Sequence, residues 1–258
     1  MSKARNPESV LITGATGGLG GALAQAYAAP GTTLILQGRN TVRLAELASA
    51  CTGRGARVLT HALDLRNRVA LTAWLRELCA QQSVDLLIVN AGVNTHVGPD
   101  GSAEPWAEAE ALIEVNVLAA MATVDAVLPS MRARGKGQIA LISSLAGYVG
   151  LPQVPSYSAS KAALKTYGEA LRGRLAPEGI RVNVVMPGYV ASPMAKAMPG
   201  PKPFLWPAER AAQAIRRGLA ADRARISFPF PLNLGTWWLS TLPPALAQRI
   251  LRWMGYGG

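Results

Sequence analysis

Seven short apolar runs, at Val10–Thr13, Thr33–Gln37, Arg57–Leu63, Leu86–Val89, Gln138–Ile142, Arg181–Met186 and Arg225–Phe228, punctuate the chain. Between them lie stretches of helical periodicity, at about Leu19–Ala29, Val42–Ala50, Arg68–Gln81, Ala107–Met131, Ser156–Leu175 and Ala208–Ala221. Continuous short apolar runs suit strands buried on both faces of a parallel sheet, and right-handed strand-helix-strand crossovers lay the helices over both faces. The alternation predicts an α/β fold, a doubly wound parallel sheet in one domain over 1–258. A chain of 258 residues, half of them hydrophobic, can bury such a core. Two stretches leave the rhythm: the proline-rich loop Pro193–Pro207 and the tail Pro229–Gly258.

Charged residues make up 16% of the chain and aromatics 6%, which suits neither a disordered segment nor a base-stacking platform. The net charge of +11 calls for an anionic partner: a polyanion, an anionic membrane surface or a phosphorylated cofactor. The basic residues are scattered in ones and twos, as at Arg132 and Arg134 or Arg216 and Arg217, so no nucleic-acid partner is expected. Cys51 and Cys79 form no CxxC, and His61 and His96 lack ligand spacing, so no metal is expected. The opening residues carry no apolar leader core, which points to a cytoplasmic chain.

The run "VLITGATGGLGGALA" sets Gly14, Gly18 and Gly20 between the first strand and the first helix. A tight turn and bare backbone N–H groups there can approach a pyrophosphate, and the helix terminus adds its partial positive charge. The position at the first strand-helix junction makes a dinucleotide site the better reading than a flexible turn. The second strand ends "LILQGRN", with Arg39 where an acidic residue would select the free ribose of NAD. An arginine there pairs with a 2′-phosphate, which favours NADP (NADPH) over NAD; the alternative is a solvated arginine in an exposed turn.

"YSASK" puts Tyr157 and Lys161 four residues apart, on one face of a helix. A free phenol, with a pKa of about 10, is a poor acid-base group at neutral pH, but a neighbouring cation lowers that value. Tyrosine and lysine at this spacing also occur on ordinary surface helices, so the rest of the chain must decide.

Over roughly Val10 to Met194 the chain resembles the short-chain dehydrogenase/reductase family in its single-domain, Rossmann-like form. "TGATGGLG" at 13–20, "NAG" at 90–92, Asn116, Ser144, "YSASK" and "PG" at 187–188 follow that family's order. The resemblance implies that Gly14, Thr16, Gly18, Leu19 and Gly20 form the cofactor loop. It implies that Asp64 and Leu65 lie beside the adenine, and that Asn90, Ala91 and Gly92 lie beside the adenosine ribose. Pro187, Gly188, Val190 and Ser192 would contact the nicotinamide end, where Ser192 replaces a more usual threonine. Tyr157 would be the acid/base, Ser144 the second hydrogen-bond partner of the carbonyl oxygen, and Asn116 the holder of a water in a proton relay. Lys161 would lower the Tyr157 pKa and hydrogen-bond the nicotinamide ribose. Asn116 could instead be a buried polar residue bonded to backbone, and Asp64 a turn or cap residue.

The expected function is therefore NADPH-dependent interconversion of a ketone or aldehyde and an alcohol, a small-molecule carbonyl substrate. A non-catalytic dinucleotide-binding sensor or scaffold is the alternative. Substrate contacts are expected from 93–105, 145–155 and 193–207. The tail departs from the family: no charge occurs from Ile226 to Gln248, and four prolines break any spanning helix. Phe228, Phe230, Trp237 and Trp238 are read either as the wall of a site for a bulky apolar, lipid-like ketone or as a packing surface for a dimer. Over Ala245–Met254, Leu246, Ile250, Trp253 and Met254 can share one helical face opposite Gln248, Arg249 and Arg252. Such a segment suits peripheral contact with an anionic membrane, docking on the domain itself, or a partner subunit. A homo-oligomer is expected, a dimer sooner than the family's common tetramer.

Overall fold

The computed structural model describes residues 7–98, 101–198 and 200–256; the opening residues read for targeting lie largely outside them. Seven parallel strands form one sheet: β1 (Ser9–Ile12), β2 (Thr33–Gly38), β3 (Arg57–Ala62), β4 (Leu86–Val89), β5 (Gly137–Ile142), β6 (Ile180–Pro187) and β7 (Arg225–Phe228). Their order is β3-β2-β1-β4-β5-β6-β7. The order reverses between β1 and β4, where Val10, Leu11 and Ile12 pair with Leu86, Leu87 and Ile88. A crevice therefore opens beyond the carboxyl ends of these two strands, the place where doubly wound sheets bind ligands.

Helices cover both faces. Alternate side chains of one strand point to opposite faces, so Val10 and Ile12 enter one core cluster and Leu11 the other. The first cluster takes Leu23 of α1 (Gly18–Tyr27), Leu44 of α2 (Thr41–Thr52) and Ile215 of α8 (Ala208–Ala220). The second takes Leu71 and Leu75 of α3 (Arg68–Gln81), Val124 and Met131 of α5 (Ala120–Arg134) and Leu164 of α6 (Pro155–Leu175). Local chemistry sets the ends: the Asn40 and Asn67 side chains accept from the Arg43 and Ala70 N–H groups, and α6 starts on Pro155.

The long helix expected at Ala107–Met131 runs from Trp106 to Arg134, as α4 (Trp106–Ile113), a π-helical stretch Glu114–Ala119, and α5. It is long and apolar enough to cross a membrane, but about half of its most apolar window is buried, and α5 packs on α3. The loop after β6 contains a short helix, α7 (Pro193–Ala197), capped by the Ser192 hydroxyl.

The tail folds back on the domain as α9 (Leu232–Leu239) and α10 (Pro244–Leu251), followed by a wide turn Arg252–Tyr256. Docking on the domain itself uses a different set of residues from most of the apolar face read at Ala245–Met254. Ala247, Leu251 and Tyr256 are buried, whereas Leu246, Trp253 and Met254 are exposed. Leu251 and Tyr256 pack with Leu239 against Val149, Leu151 and Tyr189, with Ile250 partly buried beside them.

Candidate active site

The glycine loop is built around a left-handed residue and two close approaches. Gly14 has φ +64°, and a β-carbon there would lie 2.7 Å from the Cα of Ala91. A β-carbon at Gly20 would overlap the Gly14 carbonyl oxygen and press on the Asn90 side chain. Two buried polar residues brace this loop. Gln37 Oε1 accepts from the Gly14 N–H at 3.0 Å while its Nε2 donates to the Leu63 carbonyl at 2.7 Å. The Thr13 hydroxyl accepts from the N–H groups of Asn90 and Ala91, and Asn90 Nδ2 donates back to the Thr13 and Gly14 carbonyls. The ends of β1, β2 and β4 are thus tied together. Sequence reasoning passed over Thr13 and Gln37; a polar residue closing an otherwise apolar strand was the available signal.

The first turn of α1 has no side-chain cap, so its N–H groups face the crevice free of a helix partner. The crevice, a cavity of about 310 Å³, is lined by Gly14, Thr16, Gly18, Leu19, Gly20 and Arg39, by Asp64 and Leu65, and by Asn90, Ala91, Gly92 and Ser192. Arg43, on the first turn of α2, joins Arg39 there. Asp64 pairs with Arg66 at 2.7 Å, which holds its carboxyl below the usual range. A glycine cradle with free N–H groups fits the pyrophosphate of a dinucleotide.

A second cavity, of about 350 Å³, holds Ser144, Tyr157, Lys161, Pro187, Gly188 and Val190. Leu19, Asn90, Ser192 and Met194 line both cavities, so the two meet. Tyr157 is buried on α6 and hydrogen-bonded with Ser144. The neighbouring Ser143 differs in role: its hydroxyl donates to the Lys161 carbonyl at 2.6 Å and pins α6 to the end of β5. The β-carbon position of Gly147 lies 2.8 Å from the same carbonyl oxygen, so the helix passes too close for a side chain there.

The Lys161 ammonium sits 5.5 Å from the centre of the Tyr157 ring and donates to the Ile142 carbonyl at 2.9 Å. Burial lowers the Lys161 pKa to about 8. Tyr157 departs from expectation. Burial pushes its phenol up, opposed by the hydrogen bond with Ser144, because a dry pocket denies the phenolate its hydration. The expected lowering by Lys161 is not the governing effect in this structure.

Asn116 lies fully buried in the π-helical stretch. Its side chain accepts from the Val93 N–H at 2.8 Å and donates to the Val93 carbonyl and to Ser160 Oγ. It therefore clamps the strand end after Gly92 to α6, which holds Tyr157 and Lys161. The β-carbon position of Gly92 is 3.2 Å from Asn116 Oδ1 and 3.4 Å from Lys161 Nζ. A π-helical turn in mid-helix marks functional sites more often than chance.

The rest of the second cavity is apolar, with Leu145 and Leu151, Met194 and Met198, and from the tail Leu232, Trp238, Leu239, Ile250, Leu251 and Met254. Segments 145–155 and 193–207 supply lining residues; among the described residues 93–105 supplies none. Of the four aromatics expected to wall it, Trp238 does so. Phe228 is buried, stacked on Trp206 at 5.0 Å, and Phe230 and Trp237 face outward. Tyr256, a wall residue that no sequence pattern marked, donates to the Pro201 carbonyl at 3.3 Å and hydrogen-bonds Tyr189. It thereby ties the tail to the loop after β6.

A dinucleotide crevice at the switch point of a doubly wound sheet, opening into a pocket with a buried phenol and ammonium, defines a nicotinamide-type oxidoreductase. The chain belongs to the short chain dehydrogenase family, whose profile matches residues 8–201. It is 36% identical to an uncharacterized oxidoreductase of Myxococcus xanthus over 95% of this chain and 96% of that protein. It is 37% identical to a ketoacyl reductase of Nostoc sp. over 71% of this chain and 64% of that one. A short-chain dehydrogenase from Sphingobium yanoikuyae, solved in complex with NADPH, superposes with a TM-score of 0.80 at 25% identity, covering 95% of each chain.

Proposed function

We propose that this oxidoreductase interconverts a neutral, apolar ketone or aldehyde and its alcohol, with NADP(H) preferred and Tyr157 as the acid/base. The observation that carries the reading is the buried Tyr157 phenol, hydrogen-bonded with Ser144 where the two cavities meet. When bound, the dinucleotide supplies or accepts the hydride. The chain's own groups supply the rest. A carbonyl oxygen seated between Ser144 and Tyr157 gains charge as it is reduced, and two hydroxyl donors stabilise that charge. Tyr157 then gives up its phenolic proton to the oxygen. A phenol that burial keeps protonated is suited to this direction. Lys161 holds a positive charge behind the ring below about pH 8 and limits the cost of the phenolate left behind.

The substrate class follows from the wall. Among the described residues the pocket has no carboxylate, and its one cation, Lys161, is engaged with the Ile142 carbonyl behind the Tyr157 ring, so an ionised group carried among the apolar wall residues would lack a partner there. Arg39 and Arg43 at the far end of the crevice support a 2′-phosphate, and the NADPH-bound relative supports the same preference. Retention of Ser144, Tyr157 and Lys161 together favours an enzyme over a sensor or scaffold. An initial-rate screen of apolar ketones, and of the same skeletons bearing a carboxylate, with NADPH and NADH tests the reading. Turnover of the neutral set with NADPH is expected. Preference for the carboxylates would overturn the substrate class.

A further inference from the structure

We infer that the outer face of the tail is a docking surface for an anionic lipid bilayer. The face is apolar: on α9 Leu234, Trp237 and Trp238 fall at i, i+3 and i+4 and are exposed, and Phe230, in the turn just before the helix, is exposed by 76%. The second helix adds Leu246, and the turn after it adds Trp253, exposed by 87%, and Met254. Trp238 and Met254 are each about half exposed and also line the apolar cavity, so the two helices present one surface around its rim.

Leaving so many large side chains in water is unfavourable unless something covers them, and charge identifies the cover. From position 223 to 258 the chain carries Arg223, Arg225, Arg249 and Arg252 and no Asp or Glu. Arg225 is engaged with Glu169. Arg249 and Arg252 are exposed beside Trp253, and among the described residues neither has an ion-pair partner. A symmetric contact between two copies through this face would bring both arginine pairs together with no carboxylate on the tail to offset them, in a chain of net charge +11. A bilayer meets both halves of the surface: tryptophan at the headgroup level, apolar side chains below it, and lipid phosphates for the arginines. Docked in this way, the cavity rim faces the lipid, the source of an apolar substrate.

Flotation of the full chain with phosphatidylcholine vesicles, and with vesicles of equal parts phosphatidylcholine and phosphatidylglycerol, tests the inference without reading turnover. Binding to the anionic vesicles is expected. It should weaken at least about 25-fold in R249E/R252E, from about fivefold for each arginine removed from the surface. It should also be lost in W237S/W253S. Both variants change exposed side chains, and unchanged melting would confirm their fold. Brominated acyl chains should quench the fluorescence of the unmodified protein, a readout that needs no variant. Absence of flotation with quenching absent would overturn the inference, as would variants that float like the parent. A chain that sediments as a dimer, is split by W237S/W253S and does not float would assign the face to a second copy instead.

Discussion

Lys161 stands one helical turn beyond Tyr157, with its ammonium 5.5 Å from the centre of the phenol ring and hydrogen-bonded to the Ile142 carbonyl. The pair is held from three sides: Ser143 grips the Lys161 carbonyl, Asn116 grips Ser160, and the Ser160 hydroxyl donates to the Tyr157 carbonyl. The geometry is set by buried hydrogen bonds and does not depend on a surface ion pair.

Burial of Lys161 makes stability depend on pH with a defined sign. Its pKa falls to about 8 in the folded chain from 10.5, so between these values the unfolded chain binds a proton that the folded chain has released. The cost of burying the cation is fully present below pH 8 and is relieved as pH rises toward 10.5. Urea unfolding of the parent and Lys161→Met should diverge over this window, the parent gaining about 3 kcal/mol relative to the variant. Parallel curves would mean that Lys161 keeps its ordinary pKa.

Gln37 is the brace between the glycine loop and the end of β3. Gln37→Ala leaves the Gly14 N–H and the Leu63 carbonyl without their partner, and should lower stability by about 1–3 kcal/mol per group left unsatisfied. Dinucleotide affinity should fall as well, because Gly14 sets the loop. Chemical denaturation with a fluorescence titration of NADPH measures both.

Arg39 lines the crevice just past the end of β2, and the carboxylate that shares the crevice, Asp64, is paired with Arg66. Arg39→Ala should weaken NADPH by about 1.5–3 kcal/mol, the scale of a hydrogen bond to a charged group, and leave NADH nearly unchanged. Equal losses in calorimetric titrations would show that Arg39 does not read the phosphate.

The sheet was legible because its strands are continuous apolar runs bounded by turns, and β4 and β7 fall on the expected residues. The two cavities were legible through the glycines, Asn90 and the Tyr157–Lys161 spacing, which act locally. Properties created by packing were not. Nothing in "IEVNVLA" distinguishes a π-helical turn from an α-helical one, yet Asn116 sits there bonded to Val93 and Ser160. The direction of the Tyr157 shift depends on how dry the pocket is, which depends on a tail distant in sequence. In that tail the prolines hid α9, and the residues that α10 buries, Ala247 and Leu251, carry no mark in the sequence that sets them apart from the exposed Leu246.

Replacement of Tyr157 by phenylalanine tests the central claim most directly, since it removes one oxygen from a buried ring and leaves the packing in place. Turnover of a ketone that the parent reduces should fall by at least about 10²–10⁴-fold, the range for loss of a general acid-base group. NADPH affinity, measured by fluorescence titration on the same preparation, should stay within about threefold of the parent, a difference below 1 kcal/mol. Undiminished turnover in a folded Tyr157→Phe protein that binds NADPH normally would contradict the account.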